Sequence, residues 1–252
     1  FTNKYELQVL INEFQPIFIT LQETKLNINT KLNNYNSYIK NKTCSQDIMA
    51  SGGVMTLINK NIHSSHFQLN TNLQAIAVHV TYPFDFVICN IYLDHNITTL
   101  TLNDELENII KQLGHSFIIT GDFNAHNKVW GSHKTDRRGT IITELTEKYT
   151  LTIQNEKLPT HIATNGRLTA IDLSICTQNI VSFTEWTVLE DLHGSDHFPL
   201  LISFPHTQHI NTHRQTYNIK KANWTEYKRA QNFDNINTSN INSMENDFTS
   251  RI

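Results

Sequence analysis

The sequence predicts an α/β domain in which two sheets stack face to face and helices cover the outside. Three observations carry this. Apolar residues recur at helical spacing in three stretches, whereas about nine short apolar runs read as strands. That is too many strands, and too few helices, for a doubly wound parallel sheet. The 252 residues, 38% of them hydrophobic, suffice for one sizeable core.

The elements follow in order. Leu7, Leu10, Ile11 and Phe14 fall at i, i+3, i+4 and i+7, an amphipathic helix ended by Pro16. Ile17–Leu21 is a strand that runs straight into Gln22-Glu23-Thr24. Residues 27–50 are polar and loop-like, and Gly52-Gly53 opens a strand over Val54–Ile58. Leu73–Val80 and Phe84–Leu93 are two strands separated by Tyr82-Pro83, a hairpin-like pair. Thr101 can cap a helix, with Asp104 three residues on. Its apolar stripe is Leu102, Leu106, Ile109, Ile110 and Leu113, and Gly114 ends it. Phe117–Thr120 is a buried strand, and Ile141, Ile142, Leu145 and Tyr149 mark a third helix. Further strands are expected at Leu151–Gln154, Ala170–Cys176, Val181–Leu189 and Phe198–Phe204.

Composition bounds the function. The net charge is −3, which does not announce a nucleic-acid binder. The distribution is uneven. Residues 206–252 hold six Lys/Arg against four Asp/Glu, and residues 1–205 hold 14 against 19. Within the acidic part, His126–Arg138 carries Lys128, Lys134, Arg137 and Arg138 against Asp136. An acidic domain with a basic loop suits a metal-dependent enzyme acting on a polyanion, and equally a solvated loop. Cys44, Cys89 and Cys176 form no CxxC pair, so reduced thiols in an intracellular protein are expected. The sequons at Asn41, Asn96, Asn223 and Asn237 then read as chance matches in an Asn/Thr-rich chain. No apolar run approaches the ~18 residues of a membrane span.

Polar groups stand at strand ends where turn residues would do. Glu23 ends the first strand, and Asn90 and Tyr92 sit in "VICNIYLDHN". Asp122 and Asn124 follow the strand in "TGDFNAHNKVWGS", and Asp196-His197 precede the last strand. Singly, Glu23 reads as a solvated residue and Asp122 as a turn cap. Asp172, between Ile171 and Leu173, is costly to bury without a cationic or donor partner. Together they make an oxygen-rich set that suits Mg²⁺ better than zinc. No GxSxG elbow or P-loop is present. The chemistry left is metal-assisted hydrolysis of a phosphate ester.

Five motifs in order, "LQETKL", "NIYLDHN", "GDFNAHNKVWGS", "AIDLSI" and "SDHFPL", resemble the exonuclease–endonuclease–phosphatase superfamily. More narrowly they resemble the apurinic-type endonuclease domain of non-LTR, LINE-like retrotransposons, on the Jockey-like side. The resemblance implies a four-layer α/β/β/α sandwich over residues 1–205, with a linker toward a reverse transcriptase over 206–252, partly helical or disordered. "NIKKANWTEYK" resembles that joining segment.

It also implies roles. Glu23 resembles the metal-binding glutamate, and Asp196 a second acid on the metal side. Tyr92 resembles the tyrosine that contacts the scissile phosphate. Asp122 resembles the acid that orients or deprotonates the attacking water, and Asn124 the amide that helps hold water and phosphate. His197 resembles the imidazole that binds a phosphoryl oxygen, and Asp172 the acid that orients and charges it. His126, Lys128, Lys134, Arg137 and Arg138 are expected near DNA, as are Thr160 and Thr169. Trp130 is expected to pack beneath the loop that carries the cations.

The cofactor implied is Mg²⁺, with Mn²⁺ as substitute. The partners implied are double-stranded DNA and a reverse transcriptase of the same polyprotein, acting in the nucleus, with no membrane. Family members begin with a strand ending in an Asn, whereas this chain begins inside the following helix. A missing first strand, and weak or absent nicking, are therefore expected. The alternatives are a cellular phosphodiesterase of the same superfamily, such as an abasic-site repair nuclease, and a non-catalytic, domesticated DNA-binding remnant.

Overall fold

A computed structural model describes residues 4–24, 32–41, 52–82 and 84–204. The first described elements are α1 (Lys4–Phe14), β1 (Phe18–Gln22), β2 (Tyr35–Lys40), β3 (Val54–Asn59), β4 (His63–Phe67), β5 (Gln74–Tyr82) and β6 (Phe86–Tyr92). Then come α2 (Thr99–Leu113), β7 (Phe117–Asp122), α3 (Arg137–Lys148), β8 (Leu151–Ile153), β9 (His161–Ile162) and β10 (Leu168–Thr169). The last are β11 (Asp172–Thr177), α4 (Gln178–Val181), β12 (Glu185–Val188) and β13 (Leu200–Ser203). The expected linker, 206–252, lies outside the described residues.

Six strands form one mixed sheet in the order β4-β5-β6-β7-β11-β8. β6 and β7 run parallel and are joined through α2, as a parallel pair requires. The other neighbours are antiparallel. Why β6 and β7 read as continuous apolar runs is now plain: every residue of both is buried. Alternate side chains serve two cores. Val87, Cys89, Ile91, Phe117 and Ile119 pack with Leu102, Leu106 and Ile109 of α2 and Ile141 and Leu145 of α3. Ile88 and Ile118 point the other way, toward Ile58, with Phe18 and Ile202 against the same cluster.

The second layer consists of the sheet β1-β3-β2 and the hairpin β12-β13. Leu7 of α1 packs on it with Tyr35, Met55 and Leu57. The result is helix, sheet, sheet, helix, which is the four-layer α/β/β/α arrangement expected. Among the described residues, β1 pairs only with β3 and β13 only with β12. Both strands are half-buried at every position. A cleft of about 810 Å³ is lined by both, and by Asp122, Asp172 and His197 at one end.

Several expectations need correction. β2 lies inside the stretch expected to be a loop, because only Tyr35 of YNSYIK is buried and the rest carry a polar edge strand. β4, HSSHF, was likewise not expected, for the same reason. The cap of α2 is Thr98, whose hydroxyl accepts from the Thr101 amide. Val181–Leu189 is not one strand but the end of α4 and then β12. The predicted apolar stripe of α2 is its buried face, residue for residue.

One buried amide ties the two sheets together. Asn90 on β6 is fully buried, and its Nδ2 donates to the carbonyl oxygens of Leu21 (3.1 Å) and Met55 (3.0 Å). Its Oδ1 accepts from Gln22 Nε2 at 2.7 Å. Substituting Asn90→Leu leaves these partners facing an apolar group, at roughly 1–3 kcal/mol for each buried polar group left unpaired. Urea unfolding should show a lower midpoint with an unchanged slope. A midpoint equal to the parent's would mean that the amide does not link the layers.

Candidate active site

β7 and β11 set the floor of the site. They pair antiparallel with Asp122 opposite Asp172. Gly121 allows β7 to approach β6 here: its φ is +145°, and a Cβ would collide with the Ile91 carbonyl oxygen. Two buried carboxylates across one ladder would repel each other unless partners hold them.

Partners do. Asn124 takes a left-handed backbone, φ 46°, that folds it back over Asp122. Its backbone amide donates to Asp122 Oδ1 (2.9 Å) and its Nδ2 to Asp122 Oδ2 (2.9 Å) and to the Leu93 carbonyl oxygen (3.2 Å). On the opposite strand, Asp172 accepts from Thr160 Oγ1 at 2.7 Å and from His197 Nδ1 at 2.9 Å. This is the partner that the burial of Asp172 demanded. With Nδ1 committed, His197 is left with Nε2 toward the cavity.

The pairs shift each other's proton affinity. Burial pushes Asp122 up, the charge of Asp172 pushes it further, and His197 and the Asn124 amide only partly oppose this, leaving it at about 7. For His197, burial favours the neutral ring. The hydrogen bond and charge of Asp172, aided by Asp122 and Asp196, outweigh it and bring the ring up to about 9.

The opposite rim is built from β1 and β6. Glu23 follows β1 in a left-handed conformation, φ 48°. Tyr92 ends β6, and its hydroxyl donates to Glu23 Oε1. Burial first, and then that bond, raise the Tyr92 hydroxyl well above the usual phenol range. A small cavity of about 300 Å³ brings Glu23, Asp122, Asn124, Asp196 and His197 to one space. Carboxylate oxygens from Glu23 and the exposed Asp196 are the donor type that Mg²⁺ takes, with room for waters.

The residues expected near DNA separate into groups. Lys128, Lys134 and Arg137 are exposed. Arg138 is not: its guanidinium donates to the carbonyl oxygens of Asp94, Leu93 and Phe123 at 3.0–3.1 Å. It clamps loops together instead of facing a phosphate. Thr160 is also corrected. It is fully buried, and its hydroxyl holds Asp172 while accepting from the amides of Ile171 and Asp172. Thr169 borders the small cavity with its hydroxyl 3.0 Å from His161 Nδ1. His126 borders it too, stacked edge-on to His133 at 5.8 Å, and burial lowers its pKa. Trp130 is fully buried beneath the loop, as expected, with Nε1 donating to the Ala170 carbonyl oxygen at 3.2 Å.

Sequence reasoning missed His161. Its ring lies 4.4 Å from that of His197, and the two residues form an isolated bridge. The clue was its place beside Thr160 in a two-residue strand, β9, too short to carry a periodic signal.

Comparison with known proteins agrees with this fold. Residues 86–201 match the family described as "Endonuclease-reverse transcriptase". That match spans 116 of the 252 residues, a little under half of the chain. The endonuclease domain of TRAS1, a telomere-specific non-LTR retrotransposon, is similar with a TM-score of 0.68 at 20% identity, over 81% of this chain and 92% of that one. An endonuclease/exonuclease/phosphatase family protein from Leptotrichia buccalis C-1013-b is similar with a TM-score of 0.58 at 15% identity, over 79% and 91%. No curated protein matches. The fold shared with these structures covers about four fifths of the chain, while the family match runs from β6 into β13, the stretch that carries Tyr92, Asp122, Asp172 and His197.

The Asp172–His197 pair is open to direct titration. In nitrogen-detected NMR, His197 should titrate near pH 9, and Asp172→Asn should lower it, because the largest groups opposing burial are then gone and only Asp122 and Asp196 still favour the charged ring. The sign for stability follows. A raised folded value means that this contribution is complete below 6.5 and is lost as the pH rises through about 9. A His197 resonance that titrates alike with and without Asp172 would refute the coupling.

Proposed function

We propose that the chain is a Mg²⁺-dependent endonuclease domain of a retrotransposon polyprotein, nicking double-stranded DNA to leave a 3′-hydroxyl for reverse transcription. The nucleus is the compartment in which it meets chromosomal DNA. The observation that carries the proposal is the convergence of Asp122, Asn124 and His197 on one cavity, with Asp172 holding His197 Nδ1 from behind. The similarity to the endonuclease domain of TRAS1 supports the substrate.

The roles follow from the geometry. Asp122, held above its usual value, is suited to accept a proton from water near neutral pH. Asn124 fixes that carboxylate and so fixes the direction of attack. His197, kept protonated by Asp172, presents a charged donor to a phosphoryl oxygen. Tyr92 holds Glu23 in place, and Glu23 and Asp196 would hold the metal. The metal supplies charge to the phosphate when bound. Lys128, Lys134 and Arg137 are exposed cations for the DNA backbone.

Two measurements test this. In Mg²⁺ the chain should convert supercoiled plasmid, at the weak rate expected above, to open circles whose nicks a polymerase can extend. Asp122→Ala and His197→Ala should each lower nicking by roughly 10²–10⁴-fold while DNA binding persists. Binding without any nicking by the parent would favour a non-catalytic remnant. The pH–rate profile should rise through about 7, as Asp122 loses its proton, and fall through about 9, as His197 loses its own. A profile still rising at pH 10 would exclude a protonated His197 from the reaction.

A further inference from the structure

His161 has no place in the reaction just described, yet it stands at the centre of the site. Its ring packs on that of His197 with centroids 4.4 Å apart and a tilt of 48°. Its Nε2 is 3.8 Å from Asp196 Oδ2. One nitrogen from each imidazole and one oxygen of Asp196 lie within 4.8 Å of one another. Three features make this more than proximity.

The first is orientation. Metal-ligating imidazoles present one nitrogen while the other is held by a second group. Both rings here are arranged in that way. His197 Nδ1 is held by Asp172 at 2.9 Å, and His161 Nδ1 lies 3.0 Å from Thr169 Oγ1. Each therefore has Nε2 left for the cavity. The second is rigidity with one adjustable arm. β9 carries His161, and its bridge to His197 fixes the two backbones relative to each other, while Thr169 and Asp172 hold the rings. The Asp196 side chain is 74% exposed and is free to swing in. Ligand atoms around a tetrahedral ion sit about 3.3 Å apart, so closing the set requires a movement of about an ångström. The third is donor chemistry. Two imidazoles and a carboxylate suit Zn²⁺, Co²⁺ or Ni²⁺ and disfavour Mg²⁺, which takes oxygen ligands.

We propose that His161, Asp196 and His197 form a transition-metal site for Zn²⁺ or a similar ion, overlapping at Asp196 the oxygen site beside Glu23. The two sites share Asp196, and the transition metal takes His197 Nε2. Resting on the endonuclease proposal above, its consequence is that Zn²⁺ inhibits nicking instead of supporting it. His161 then sets which ions the domain tolerates.

The test reads metal directly. Zn²⁺ is titrated calorimetrically into the chain without DNA, and Co²⁺ is added while its visible absorption is followed. The parent should bind one Zn²⁺ at this site and give the intense visible bands of tetrahedral Co²⁺. His161→Gln should weaken Zn²⁺ binding at least tenfold and abolish those bands. Asp196→Asn, at an exposed position that leaves the fold intact, should do the same. His126→Gln, in the same cavity but outside the trio, should not. Circular dichroism and the melting temperature of each variant show that the fold is kept. Zn²⁺ affinity equal in the parent and in both His161→Gln and Asp196→Asn would overturn the site, as would equal loss in His126→Gln. These readouts do not depend on nicking, so a chain that binds Zn²⁺ here and never cuts DNA would refute the endonuclease proposal alone.

Discussion

The site depends on two carboxylates placed opposite each other across an antiparallel ladder. Asp122 and Asp172 cannot both stay charged and unpaired at that spacing in a buried sheet. The molecule resolves the conflict asymmetrically. Asp172 receives a cation, His197, and a hydroxyl, Thr160. Asp122 receives only the neutral donors of Asn124. One acid is therefore anchored beside a cation, and the other has only neutral donors and is pushed up to about 7. This difference between chemically identical side chains comes from their neighbours.

The scaffold serves that arrangement. β6 and β7, buried on both faces, bring Tyr92 and Asp122 to the same rim. Asn90 fixes the second layer against the first, so Glu23 at the end of β1 meets Tyr92 from the facing sheet. Left-handed backbone at Glu23 and Asn124 turns both side chains back over the rim they terminate. Such conformations persist where surrounding structure determines them, and here they fall on two residues of the constellation.

How much of this was legible beforehand differs by element. The α2 stripe, β6, β7 and β11 were readable because each buries apolar side chains at a period that sequence displays. β2, β4, β9 and β10 were not. Their residues are polar or their runs are two residues long, and pairing with a neighbour, not their own composition, makes them strands. In the site, Asp172 announced itself because a carboxylate in an apolar run demands an explanation. Thr160 and Arg138 misled for the converse reason. A threonine and an arginine in a polar stretch look like surface groups, and only the fold shows that one is fully buried and the other is spent on three carbonyl oxygens. His161 was silent, since a single imidazole carries no pattern.

The half-buried strands β1 and β13 have a practical consequence. Each shows an unpaired backbone edge among the described residues, with apolar side chains beside it, along a cleft that also reaches Asp122 and His197. An open edge of that kind accepts any extended peptide of suitable pattern, including one from another copy of the chain. Colloidal behaviour and chemistry are thereby joined in one place. A peptide that adds a strand there would line the same cleft as Asp122 and His197, so self-association of the protein and access to those side chains would compete for one groove.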